Sequence, residues 1–256
     1  MSSAKQNELI SRVDELQARV AALRPYEGDM LILLRKYYRL GLTWTSNAIE
    51  GSSYTESETK VLLEDGITVG GKSLRDTFAA LGHAKAYDYM FTLLGRKGIT
   101  EKDILTMHGM MDGGLETGDA GKYRTTAIFV TGSTYTFPPA KAVPGLMRDL
   151  FDKTIPQRAA LHPPVHPVVQ AARLHEELVT IHPFSDGNGR IARLAMNTVL
   201  IQNGFLPVQI HPVIRQSYID SLREAQTSGN DDDFIELILQ QEIESQKEIL
   251  RIFEEQ

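Results

Sequence analysis

Leu9, Val13, Leu16, Val20 and Leu23 recur at alternating intervals of four and three, which predicts an amphipathic first helix with one apolar seam. Such a seam ordinarily packs against its own chain; pairing with a second copy, as a homo-oligomer, is the alternative it leaves open. Pro25 interrupts the pattern, after which Met30 to Leu40 predicts a second helix ending near Gly41. Thr43 to Glu50 predicts a short third helix, anchored by Trp44 and Ile49 and left through Gly51. Thr55 with Glu58 has the form of a capping box, so a further helix starts just beyond Thr55 and closes at Gly66. Leu74, Phe78, Leu81, Met90 and Leu94 predict a long helix entered at Ser73, and Thr100 with Asp103 is a weaker start signal before Ile104, Leu105 and His108.

Between Thr125 and Phe137 the residues change to Thr, Ile, Phe, Val and Tyr, with Gly132 and Ser133 placed where a hairpin could turn. Pro144 and Pro167 suit the first turns of helices. The second of these carries Val168, Ala171, Ala172, His175 and Val179 inward and delivers His182. Ile191, Leu194, Ala195 and Val199 predict the next helix, ending near Gly204, with two more over Val213 to Ala225 and Phe234 to Phe253. The expected fold is mostly α, a helical core with one small β-hairpin.

Composition narrows the function. The 256 residues contain no cysteine, which removes disulfides, thiolate metal sites and cysteine nucleophiles and fits a reducing compartment. Every apolar run is shorter than the roughly 20 residues that span a bilayer, and no basic segment leads into an apolar one at the start, so the expectation is a cytoplasmic protein with no membrane segment. A formal charge of -6 argues against broad nucleic-acid binding while leaving room for a local basic nucleotide pocket.

The segment from His182 to Arg193 concentrates distinct chemistry in a few residues. An imidazole can accept a proton near neutral pH, the Asp186 carboxylate can hold magnesium, and Gly187 and Gly189 let backbone N–H groups approach an anion. Arg190 and Arg193 can carry phosphate charge, and the helix that follows presents its free amides to the same place. Taken singly, each residue has a structural explanation: a packed histidine, a turn, a helix cap, a surface ion pair. Their coincidence points to a nucleotide site. A P-loop would need Gly-Lys-Ser or Gly-Lys-Thr after a strand, kinase signatures are absent, and the zinc-protease spacing begun by His175 would need a second histidine at Val179. His175 lies seven residues before His182, about 10 Å of helical rise, and reads as a packed histidine or one that supports a site residue from behind.

His182-Pro183-Phe184-Ser185-Asp186-Gly187-Asn188-Gly189-Arg190-Ile191-Ala192-Arg193 resembles the signature of the Fic family, HPFxDGNGRxxR, at every defined position. Ile181 before it and the Arg215/Tyr218 pair after it extend the likeness over Thr43 to Gln226. The resemblance implies a helical region over 1–41, a Fic-like unit over 42–226 and a C-terminal helix over 227–256. It also implies transfer of AMP from magnesium-bound ATP to a Ser, Thr or Tyr hydroxyl of a protein, the chain itself included. His182 would take the hydroxyl proton and Asp186 would bind magnesium. Gly187, Asn188, Gly189 and Arg190 would hold phosphate, Arg193 would meet the terminal phosphate, and Tyr218 would either border the nucleotide or target pocket or serve packing. Thr131, Gly132 and Phe137 would belong to a hairpin flap that aligns the target. Ser46-Asn47-Ala48-Ile49-Glu50-Gly51 resembles the family's inhibitory S/T-x-x-x-E-G/N element, in the subclass that carries it near the N-terminus, with serine at Ser52 or Ser53 where asparagine is more usual. The same constellation could instead remove AMP from a modified protein, or serve a nucleotide-sensing interaction protein with little turnover.

Overall fold

The computed structural model describes residues 2–23, 28–111, 118–129 and 135–254. Helix α1 (Ser2–Ala22) is followed by α2 (Gly28–Ile49), α3 (Glu56–Lys60), α4 (Leu74–Thr92), α5 (Glu101–Met111), α6 (Val143–Asp149), α7 (Ile155–Ala159), α8 (Pro167–Ile181), α9 (Asn188–Gln202), α10 (Arg215–Ser228) and α11 (Asp232–Glu254). The seam of α1 is used within the chain: Val13, Leu16 and Val20 are buried and the helix packs on α11. Gln6 bonds to Asp232 and Arg19 to Glu254, each at 2.8 Å, so the two helices run parallel.

The start signals work as their chemistry requires. Thr55 Oγ1 accepts from the Glu58 N–H at 3.2 Å while Glu58 Oε2 accepts from the Thr55 N–H at 2.8 Å, and the chain leaves at Gly66 with φ 68°. Ser73 Oγ caps α4 at 3.0 Å, and Asp103 accepts from the Thr100 N–H at 2.9 Å ahead of α5.

Gly41 does not end the second helix. Helix α2 continues through it to Ile49, so Thr43 to Ile49 forms its last turns and not a separate element, with Glu50 just past its end. A glycine inside a helix costs about 1 kcal/mol relative to alanine, and here burial of Leu42, Thr43, Thr45, Ser46 and Ile49 outweighs that cost. The missing side chain has a use, because a Cβ at Gly41 would lie 2.1 Å from Gln209 Oε1.

Helices α8 and α9 form the centre, with α2, α4 and α5 against α9 and α10 and α11 against α8. Ala171, Ala172, Ala192 and Ala195 are fully buried, and such small side chains let helix backbones come close. No helix among the described residues is long and apolar enough to cross a membrane.

The expected hairpin is absent: the described residues contain no β-strand. Residues 125–129 and 135–139 run as irregular chain, and the expected turn residues Thr131 and Gly132 lie outside the described residues. Strand-forming residue types are insufficient here because two short strands need a covering surface, whereas Phe129 is 97% exposed. A side chain replaces the ladder. Arg124 donates through Nη1 to Thr126 O (3.1 Å), through Nη2 to Pro138 O (2.6 Å) and through Nε to His182 O (2.7 Å), tying both arms to the loop after α8.

Candidate active site

The loop between α8 and α9 is defined by its two ends. Helix α8 stops at His182, which adopts φ 52° and ψ 62°, a left-handed conformation unfavourable for a residue with a Cβ. Helix α9 starts after Gly187, at φ 79°. Between them, Asn188 grips the backbone of Phe184 twice: its Oδ1 accepts from the Phe184 N–H at 2.9 Å and its Nδ2 donates to the Phe184 carbonyl at 2.8 Å. The Phe184 ring is buried and stacks on His108, centroids 3.7 Å apart. His108 Nδ1 accepts from the Gly121 N–H (3.0 Å), which leaves Nε2–H to donate to Asp186 O (3.2 Å). The loop is thus held from α5 and α9 together.

His182 Nδ1 lies 3.1 Å from the Val179 carbonyl. A carbonyl only accepts, so Nδ1 carries the proton and the Nε2 lone pair of the neutral ring stays open. Burial pulls its pKa below the ordinary value, outweighing the Val179 bond, so the ring is a proton acceptor at neutral pH. Phe137 packs against it at 4.5 Å, which places that residue at the site although the hairpin expected to carry it is not there.

Asp186 Oδ2 accepts from Arg75 at 2.9 Å and lies 3.5 Å from Arg190, while Oδ1 accepts from the Gly187 N–H at 2.6 Å. Desolvation raises its pKa, but Arg190, Arg75 and Gly187 together hold it below the usual carboxylate range. A cavity of about 270 Å³ opens beside it, lined in part by Arg75, Phe78, His108 and Arg190. No group of three or more His, Cys, Asp or Glu side chains that could hold a metal occurs among the described residues. One carboxylate fits magnesium, which commonly takes one or two protein oxygens and completes its shell with phosphates and water.

The first turn of α9 already meets an anion. A Cβ on Gly189 would lie 2.3 Å from Glu50 Oε1, so the Glu50 carboxylate occupies the space that this glycine leaves open. Glu50 Oε1 is also 2.6 Å from Arg193 Nη2. Arg193, 5% exposed at its side chain, donates further through Nε to Ser46 Oγ (2.9 Å), through Nη2 to Ser46 O (2.9 Å) and through Nη1 to the Tyr218 hydroxyl (3.1 Å). Gly51, at φ 92°, turns the chain away immediately after Glu50. Tyr218 is buried and its hydroxyl contacts His175 Nε2 at 2.9 Å. Residues 46, 50, 182, 186–190 and 193 therefore come from the end of α2, the end of α8, the α8–α9 loop and the first turns of α9. Arg75, Arg124 and His108 join them unforeseen; each reaches the loop across long sequence separation, and no local pattern marks it.

Residues 98–200 match the Fic/DOC family. Two curated relatives are the "Protein adenylyltransferase Fic" proteins of Nematostella vectensis and Aedes aegypti. The first is 33% identical over 220 residues, 85% of this chain and 50% of that protein; the second is 36% identical over 182 residues, 70% of this chain and 36% of that protein. The chain thus spans half or less of the length of these relatives. A solved structure of Fic-1 from C. elegans superposes with a TM-score of 0.86 at 27% identity, covering 98% of this chain and 74% of that one.

Proposed function

This chain carries a domain of the Fic/DOC family, and we propose that it transfers AMP from ATP to a hydroxyl of a protein, under restraint by Glu50. The observation that carries this reading is the placement of a carboxylate and an open imidazole nitrogen around one helix N-terminus. Glu50 sits over Gly189 and on Arg193, where a phosphate oxygen would find the same donors, and His182 Nε2 is free to accept a proton at the adjoining loop.

In the proposed reaction the hydroxyl oxygen of the target forms a bond to the α-phosphorus of ATP, the bond from that phosphorus to the bridging oxygen breaks, and pyrophosphate leaves. His182 Nε2 takes the hydroxyl proton. The amides of Gly187 to Gly189, with Arg190 and Arg193, meet the charge that grows on the departing oxygens. Asp186 would hold magnesium, whose chemistry is to neutralise phosphate charge. Asn188 contributes by fixing the Phe184 backbone, and so the height of the loop, and it does not need to touch the nucleotide.

Glu50 and the terminal phosphate compete for Arg193 in this scheme, which gives the N-terminal inhibitory subclass its physical content here. The deciding experiment incubates wild-type and Glu50→Gly protein with labelled ATP, magnesium and a cell extract, and identifies labelled peptides by mass. AMP attached to Ser, Thr or Tyr supports the reading; a folded Glu50→Gly protein that binds ATP yet labels nothing, itself included, refutes it. Release of AMP from a pre-modified protein in a parallel incubation would assign the reverse direction.

A further inference from the structure

Arg193 has five N–H donors, and the chain's own groups take four of them: Nε to Ser46 Oγ, Nη2 to Ser46 O and Glu50 Oε1, and Nη1 to Tyr218. Nη1 lies against Gly189, 3.0 Å from where a Cβ would be. If Glu50 withdraws, one donor on each terminal nitrogen becomes available, a fork suited to two oxygens of one phosphate. What keeps the fork pointing that way is the set of bonds that remain.

We infer that Tyr218 and His175 are positioning residues that hold Arg193 ready for the terminal phosphate when Glu50 leaves. The inference rests on the reading of this loop as an ATP site. A guanidinium only donates, so the Tyr218 oxygen must offer it a lone pair. The hydroxyl's single hydrogen then goes to His175 Nε2, 2.9 Å away, which requires that nitrogen to be unprotonated. His175 is fully buried, and its ring lies 5.0 Å from that of Phe234 on α11. Its Nδ1, which carries the proton in this arrangement, is buried with no hydrogen-bond partner among the described residues. Burial, then Arg193, keeps the ring neutral, in keeping with that arrangement. A polar ring with an unsatisfied buried nitrogen is costly as mere filling, since an apolar side chain of the same size would avoid the cost. The one bond it does make, to the Tyr218 hydroxyl, offsets that cost and sets the direction of the hydroxyl.

The test uses the Glu50→Gly protein as the parent, with magnesium-ATP and AMP titrated separately by calorimetry and transfer rates measured against ATP concentration. Adding Tyr218→Phe removes the anchor and keeps the ring. It is expected to weaken ATP binding about tenfold, with a matching rise in KM, and to leave AMP affinity unchanged, because AMP lacks the phosphate that Arg193 would meet. His175→Leu is expected to reproduce that pattern, and His175→Gln, which retains an acceptor, to restore it at least in part. Equal weakening of ATP and AMP would reduce the pair to packing, and unchanged ATP affinity in a folded Tyr218→Phe protein would also overturn the inference. If His175→Leu does not fold, as judged by thermal unfolding, Tyr218→Phe decides alone. A parent that binds ATP but transfers nothing refutes the proposed activity without touching the positioning argument. A parent that binds no ATP refutes both.

Discussion

Replacing Glu50 by glycine removes a carboxylate that lies 2.6 Å from Arg193 Nη2 and against the first turn of α9. Opposite charges about 4 Å apart interact by about 4 kcal/mol at an effective dielectric constant near 20. The Glu50 side chain is 44% exposed, so solvent screening removes roughly half of that, and the end of the α9 dipole restores about 0.5 kcal/mol. On the proposed reading, a net bias of about 2.5 kcal/mol holds the open arrangement at about one molecule in 70, and its removal is expected to raise the initial transfer rate by roughly 70-fold. Position 50 follows the last residue of α2, so glycine there does not interrupt the helix. The assay compares initial rates of AMP incorporation for wild type, Glu50→Gln, Glu50→Gly and Glu50→Gly with His182→Ala, at saturating magnesium-ATP and matched folded fraction. Glu50→Gln keeps the volume and loses the charge, so it is expected to fall between wild type and Glu50→Gly, and the double variant is expected to be inactive. A Glu50→Gly rate equal to wild type would refute the electrostatic argument. A Glu50→Gln rate equal to wild type beside an active Glu50→Gly would show that occupied space is the restraint and charge is not.

His182→Ala, tested in the Glu50→Gly background, is expected to lower transfer by roughly 10² to 10⁴ while leaving ATP affinity within about threefold, since it deletes a proton acceptor and spares the phosphate donors. Calorimetry and rate measurement on the same preparation check both halves. Asp186→Ala is expected to abolish the gain in ATP affinity that magnesium confers, which titrations with and without the ion measure directly. The acid limb of the transfer rate is expected below pH 6.5, the ordinary histidine value, because burial lowers the pKa of His182. Stability should follow the same sign. Burial lowers His83 to about 3 and brings His175 and His182 down, so between those values and 6.5 the unfolded chain binds more protons and stability is lost as pH falls, by up to about 1.4 kcal/mol per unit for each ring. Glu176 and Glu177, raised by burial, act oppositely above 4.5. The check is therefore the difference in pH slope between wild type and His175→Gln, which should be shallower in the variant.

The helices and the loop were legible where local chemistry decides them. Thr55 with Glu58, Ser73 and Thr100 with Asp103 mark starts because their side chains bond to the backbone three residues away. Gly41 and the segment from Thr125 to Phe137 misled for one reason: each carries a strong local signal that a side-chain contact overrides, a distant one for Gly41 and a neighbouring one for the segment. Gly41 reads as a stop until Gln209, far along the chain, is seen to need the space. The strand-like residues read as a hairpin until Arg124 is seen to take up the carbonyls of Thr126 and Pro138. Arg75 reaches Asp186 across 111 residues, and no spacing rule foretells such a contact.

The place of Glu50 at the end of α2 determines what sort of restraint it can be. The helix beneath it is fixed from several sides: Thr43 Oγ1 meets His83 at 3.2 Å, Arg39 pairs with Asp88, and Arg215 Nε donates to the Ile49 carbonyl at 2.7 Å, occupying an orphan acceptor of the last turn. Ser46, one turn earlier, bonds to Arg193 through both its hydroxyl and its carbonyl. Displacing the backbone of α2 would break all of these contacts, whereas turning the Glu50 side chain about its own torsions breaks only the ion pair and exposes a carboxylate that is already half solvated. On the proposed reading, release is a turn of the Glu50 side chain that leaves α2 in place, with Ser46 still bonded to Arg193. A restraint of this form would yield to a phosphate competing for the Arg193 donor that Glu50 holds, because the bonds from Ser46 and Tyr218 that present the guanidinium do not depend on Glu50.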